Sequence, residues 1–116
     1  MKKIKDISEA IKLFEEAAIN HAEATENGDY KTGNKAYQKK IVAISYLKEH
    51  NSVDKLLEYL NHSNIRVRLS AATYLLPKYE KEAIQVLEQI AEGTGILSFN
   101  AEMTISEWRK GNLKKL

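Results

Sequence analysis

Apolar residues recur at steps of three and four along most of the chain, a spacing typical of amphipathic α-helices. The first such run carries Ile7, Ile11, Phe14 and Ala18, and it ends at Asn27-Gly28-Asp29. Glycine tolerates the left-handed conformation that closes many helices, and aspartate is a good N-cap for the helix that follows. The pattern therefore predicts a helix, a tight turn and a second helix at the start of the chain.

The same spacing and turn signals predict an all-α protein of about six helices joined by short turns, with no strand candidate longer than four residues. Pro77 is expected to end the fourth helix because proline lacks the backbone donor that a helix interior needs. The first helix opens after Asp6, the second covers about 30–49, the third ends near 61, the fourth ends before 77, the fifth covers about 80–91, and the last runs from near 98 to 109–111. These helices predict one domain over residues 1–116, built from hairpins at approximately 6–50, 52–76 and 80–110.

Residues 53–75 and 83–105 form an internal repeat with an offset of 30 residues. Seven apolar positions keep register between the two segments: Val53, Leu56, Leu57, Leu60, Val67, Ala71 and Leu75 match Ala83, Val86, Leu87, Ile90, Leu97, Ala101 and Ile105. Self-similarity at a fixed period indicates stacked helical hairpins, a class of fold that mostly binds macromolecules on an open surface.

The stretch from Leu56 to Leu75 resembles a HEAT-type repeat, with a leucine-rich first helix, an Asn-rich turn and a Val-Arg-x-x-Ala-Ala second helix. Nearly the whole chain is similar to a family of small bacterial HEAT-like domains of unknown function. That likeness rests on Phe14–Ala18, Asn34–Tyr37, Val67–Thr73 and Ala101–Trp108. The resemblance implies a short α-α superhelix.

The resemblance also implies a structural role for Arg68, which matches the repeat's arginine that binds carboxylates or carbonyls of the turn. The second segment has Ser98 at the matching position and Gly93-Thr94-Gly95 in its turn. It therefore departs from the pattern and is expected to act as a terminal cap.

Composition narrows the classes of function. The 116 residues include no cysteine, which excludes disulfides, thiolate zinc sites and cysteine nucleophiles. No apolar run approaches the roughly 20 residues that a membrane helix needs, so we expect a cytoplasmic protein that does not bind membranes. The formal net charge of +2 is too small to favour nucleic-acid binding. Basic residues at both ends keep nucleic-acid backbone binding as the alternative: Lys2, Lys3, Lys5, Arg109, Lys110, Lys114 and Lys115.

Candidate chemistry is sparse. His21-Ala22-Glu23 resembles the His-x-Glu of zinc deaminases, but the cysteine pair of that motif is absent. Glu58 and His62 stand four residues apart at a helix end, yet two ligands do not make a metal site. We therefore expect no metal, no cofactor and no catalytic residue, and we expect that the protein is not an enzyme.

A protein-binding role is the leading hypothesis. On a helical wheel, Arg66, Ser70 and Tyr74 lie away from the apolar stripe of the fourth helix, and Asn100, Met103 and Glu107 lie outward on the last one. We expect these six residues to form one exposed ridge that binds a partner protein. The HEAT-like resemblance implies an inhibitor, an adaptor or an immunity protein that blocks a cognate toxin by occlusion.

Overall fold

The computed structural model describes residues 3–113 and 116. Within them the regular structure is helical and includes no strand, which confirms the all-α fold class. Six helices follow one another along the chain: α1 (Ile7–Asn27), α2 (Tyr30–Glu49), a 3-10 helix (Val53–Asn61), α3 (Ile65–Leu75), α4 (Glu80–Ala91) and α5 (Ile96–Arg109).

Side-chain caps explain where the first two helices begin and end. The Asp6 carboxylate accepts the Glu9 backbone N–H at 2.8 Å and opens α1. Gly28 ends that helix with φ at 71°, a left-handed conformation that costs glycine little. The Asp29 carboxylate then accepts the Thr32 N–H at 3.1 Å and opens α2, and hydrogen bonds from the Thr32 side chain and backbone lower the pKa of Asp29.

Two elements differ in detail from the sequence prediction. The third helix is a 3-10 helix, and the bonds at its ends, from Lys55 N–H to the Ser52 carbonyl and from His62 N–H to the Tyr59 carbonyl, each span three residues. The last helix begins at Ile96 rather than near Ser98. Gly95, with φ at 97°, ends the preceding loop, and its carbonyl already accepts the Phe99 N–H.

By its internal contacts the chain divides into two compact units, residues 1–56 and 57–116. In the first unit α1 packs along α2. Phe14 and Leu47 are fully buried there, together with several small residues such as Ala18 and Ala43. Gly33 is also buried, and a Cβ atom added to it would lie 3.5 Å from the Ala24 Cβ atom. Small side chains therefore allow the two helices to approach closely.

In the second unit α4 packs against both α3 and α5, and α3 also contacts α5. Val67, Leu75 and Leu87 are fully buried in this unit. The Trp108 indole N–H donates to a Glu80 carboxylate oxygen at 2.7 Å, which ties the end of α5 to the beginning of α4. The two helices therefore run antiparallel.

The internal repeat keeps its register in the structure. Twelve of the fourteen matched positions are buried, and the other two, Leu57 and Val86, are half-buried. The turn of the first segment is held by Arg68, whose guanidinium donates to the His62 carbonyl at 2.6 Å. In the second segment the Ser98 hydroxyl donates to the Thr94 carbonyl at 3.3 Å. Different side chains thus bind a turn carbonyl at the two matching positions.

Candidate interaction surface

The helix α5 has a buried side and an exposed side of contrasting character. Leu97, Ala101 and Ile105 recur at four-residue spacing and are buried. Because 3.6 residues make one turn, this spacing keeps all three side chains on one side of the helix. The opposite side is open to solvent.

Three large apolar side chains occupy that open side. Ile96 is 45% exposed, Phe99 58% and Met103 43%. They stand at positions i, i+3 and i+7, so they adjoin one another in a row that we call the α5 stripe. Single exposed apolar residues are ordinary on protein surfaces, whereas contiguous apolar patches mark interaction sites.

Charged residues of both signs lie near the α5 stripe. Glu92 and Glu102 are exposed, and half-buried Glu107 accepts a hydrogen bond from the Asn112 amide. The exposed Lys110 lies beyond Met103 at the end of the helix. Arg109 follows Glu102 by seven residues and therefore lies on the same side of the helix, where its guanidinium is 3.8 Å from the Glu88 carboxylate. The helix therefore presents charges of both signs around the stripe.

The structure places the six predicted ridge residues unevenly. Met103 is exposed, as predicted, whereas Arg66, Asn100 and Glu107 are half-buried. Ser70 and Tyr74 are each only 8% exposed, so the prediction that they lie on an exposed ridge is wrong. The reason is that α3 is an interior helix: seven of its eleven residues are buried, and α4 and α5 both pack against it.

Ile96 and Phe99 are not among the six predicted ridge residues. The predicted last helix begins near Ser98 and therefore does not include Ile96. A signal was present, because Leu97, Ala101 and Ile105 already supply the buried side and leave Ile96, Phe99 and Met103 on the other.

The first unit contains a buried ammonium group that the sequence did not reveal. Lys40 is 5% exposed, and its Nζ atom lies 2.9 Å from His21 Nδ1 and 5.9 Å from the centre of the Tyr37 ring. An ammonium has only donors, so Nδ1 accepts and the His21 proton is on Nε2. Burial lowers the pKa of Lys40 to about 8. Burial, and then the Lys40 charge, lower the pKa of His21 to about 4.

This pair is a structural contact between α1 and α2 rather than a metal site. The His21 nitrogen nearest to Lys40, Nδ1, accepts a hydrogen bond from the Lys40 ammonium group. Among the described residues, no group of three or more His, Asp or Glu side chains is arranged to hold a metal ion. In the Glu58/His62 pair, His62 Nδ1 accepts the Asn64 backbone N–H at 2.9 Å, so that ring nitrogen supports the turn before α3.

Other sequence predictions concern the chain ends and membranes. Lys2, Lys114 and Lys115, which belong to the predicted basic ends, lie outside the described residues. In the part of the chain that the structure describes, the helices lack the combination of length and apolar character needed to cross a bilayer.

Comparison with known proteins identifies a family. The family described as Domain of unknown function (DUF2019) matches residues 8–107, which is most of the chain, so the chain belongs to that family. No curated protein and no solved structure matches the chain significantly.

Proposed function

We propose that this member of the family is a non-catalytic protein-binding module that docks its partner on the α5 stripe. The observation that carries the proposal is the contiguous exposure of Ile96, Phe99 and Met103. Full burial of an exposed large apolar side chain is worth about 1.5–3 kcal/mol, and these three, already about half buried, would each contribute roughly half of that. A patch of this kind at the centre of an interface supplies the anchors that dominate binding energy.

The edges of the stripe define the chemistry of the partner. Glu102 and Lys110 are exposed on the same helix, so a partner with an apolar projection flanked by charges of the opposite signs would complement both the shape and the charge of this surface. The mechanism is steric occlusion: when the partner binds along α5, this protein covers the partner's functional surface. Among the roles that fit, we rank an inhibitor or immunity protein against a bacterial toxin first and an adaptor second, on the resemblance to small HEAT-like proteins.

We also propose that residues 53–105 are two HEAT-like hairpins. The shared burial of the matched positions supports this, and so does the bond from Arg68 to the His62 carbonyl. One departure is that the first helix of the first segment is 3-10 rather than α. The two segments therefore share a core pattern and differ in helix geometry.

The test uses the protein encoded by the adjacent open reading frame as the candidate partner. Wild type, the double variant Phe99→Asp/Met103→Asp and the control Tyr30→Asp are compared by co-purification and titration. Tyr30 is 84% exposed and lies in the first unit, so it reports the general effect of replacing an exposed aromatic residue.

We expect wild type and Tyr30→Asp to bind alike and the double variant to lose at least about tenfold in affinity, as substitution at a hot spot does. Circular dichroism checks that all three chains stay folded. Failure of the wild type to retain the neighbouring protein would reject the assigned partner and the inhibitor role. Equal retention by the double variant would reject the α5 stripe as the docking surface.

A further inference from the structure

A groove on the first unit lies apart from the α5 stripe. It runs between the segment that precedes α1 and one face of α2, and its volume is about 680 Å³. Pockets for small ligands usually measure about 300–1,000 Å³. The residues from α2 and its C-cap His50 come in adjacent pairs at four-residue intervals from 41 to 50, so the groove follows the helix for about 14 Å. We call it the α2 groove.

The floor of the α2 groove is apolar. Ile4 approaches from the segment before α1, and Ile41 and Val42 come from α2. All three side chains are half-buried, so each keeps apolar surface in contact with solvent. A ligand with an apolar body would cover that surface.

The polar end of the groove is organised by a stacked pair of rings. Tyr46 and His50 have ring centroids 4.0 Å apart and planes inclined by 19°. His50 Nδ1 lies 2.8 Å from the Tyr46 carbonyl oxygen, and because a carbonyl only accepts, Nδ1 carries the proton. In this tautomer of the imidazole, Nε2 has the lone pair that can act as an acceptor.

Four features at this end favour a bound cation. The exposed Glu49 carboxylate carries a negative charge, and the carboxyl end of the 20-residue helix α2 adds the partial negative charge of its dipole. His50 Nε2 accepts hydrogen bonds, and the face of the Tyr46 ring attracts positive charge. Lys3 also lines the groove, and because its ammonium repels any bound cation, a positive group is favoured toward Glu49 and His50 rather than toward the segment before α1.

We propose that the α2 groove binds a small organic ammonium compound, a molecule with one amine and an apolar or aromatic body. The apolar body covers Ile4, Ile41 and Val42, and the ammonium group lies toward Glu49 and His50. This site is independent of the proposed docking surface on α5, and either can fail while the other stands.

The test uses three probes of nearly equal size on the full chain: 2-phenylethylamine, the neutral 2-phenylethanol and the anionic 3-phenylpropionate. Titrations followed by ¹H–¹⁵N NMR report both affinity and the residues affected. We expect shifts at residues 41–50 and affinities in the order amine, alcohol, carboxylate. The variant Glu49→Gln should weaken amine binding about fivefold, as loss of one exposed ion pair worth about 1 kcal/mol implies, and leave alcohol binding unchanged.

Glu23→Gln, which neutralises an exposed carboxylate on α1 that does not line the α2 groove, is the matched control and should bind the amine as wild type does. The proposal is overturned if the carboxylate binds as tightly as the amine, or if the amine produces no shifts at residues 41–50. It is also overturned if Glu49→Gln weakens amine and alcohol binding equally.

Discussion

At the scale of single residues, Lys40 departs most from ordinary expectation. Moving an ammonium group out of water costs free energy, and the Lys40 Nζ atom lies buried 2.9 Å from His21 Nδ1. Burial therefore lowers the pKa of Lys40 from 10.5 to about 8. Lys40 lies on the stripe of Gly33, Ala36, Ala43 and Leu47, which is the signal that would have revealed its burial from the sequence.

This shift predicts how stability depends on pH. The unfolded chain keeps the Lys40 proton up to about pH 10.5 whereas the folded chain releases it near pH 8, so the unfolded state binds more protons between these values. The contribution of Lys40 to the free energy of unfolding therefore rises with pH across that window, by up to about 3 kcal/mol. Urea unfolding of wild type and Lys40→Met at intervals from pH 7 to 10 measures it.

The expected result is that wild type gains stability relative to Lys40→Met as pH rises. Lys39→Met, which removes the neighbouring exposed ammonium, should keep the rise because Lys40 is still present. If the free energies of unfolding of wild type and Lys40→Met change with pH in parallel, the claim that buried Lys40 destabilises the fold when it is charged is contradicted.

At the scale of elements, helix positions could be read from the sequence because the signals are local. Caps at Asp6 and Asp29, the turn at Gly28 and the stop at Pro77 act within a few residues, and the bounds of α2 and α4 match the prediction. The 3-10 geometry of Val53–Asn61 could not be read in the same way. Apolar residues at 53, 56, 57 and 60 suit either helix, and the hydrogen-bond pattern depends on the surroundings.

Gly33 allows a test of helix propensity at a close contact. We expect Gly33→Ala to raise the free energy of unfolding by up to about 1 kcal/mol, since alanine favours a helix and its Cβ atom would be in ordinary contact with Ala24 at 3.5 Å. Gly28→Ala is the paired variant and should destabilise, because φ at 71° strains any residue with a side chain. Thermal unfolding compares them, and a loss of stability in Gly33→Ala would show that the helices have no room for a methyl group.

Arg68 allows a test of the turn before α3. Arg68→Ala removes a charged donor from the His62 carbonyl, and we expect a loss of about 1–2 kcal/mol in the free energy of unfolding. Arg109→Ala, which removes an exposed guanidinium 3.8 Å from Glu88, should change it by less than about 0.5 kcal/mol. Chemical denaturation measures both. Equal effects would mean that Arg68 adds no more than a surface charge does.

At the scale of the whole molecule, the candidate surface was only partly readable from the sequence. Wheels drawn on separate helices assigned Met103 to the outside correctly, yet they could not show that α3 has neighbours on more than one side, which buries Ser70 and Tyr74. Burial depends on which elements pack together, and that information is not local. The first residue of α5 also matters, because Ile96 belongs to the α5 stripe only if the helix begins at that residue.

The central claim is that the α5 stripe is covered when the partner binds. Hydroxyl-radical footprinting tests it most directly, because the modification rate of a side chain follows its exposure to solvent. We predict that saturation with the partner lowers the modification rates of Phe99 and Met103 several-fold and leaves the rate of Tyr30, 84% exposed in the free protein, unchanged. Unchanged rates at Phe99 and Met103 in a saturated complex would contradict the claim.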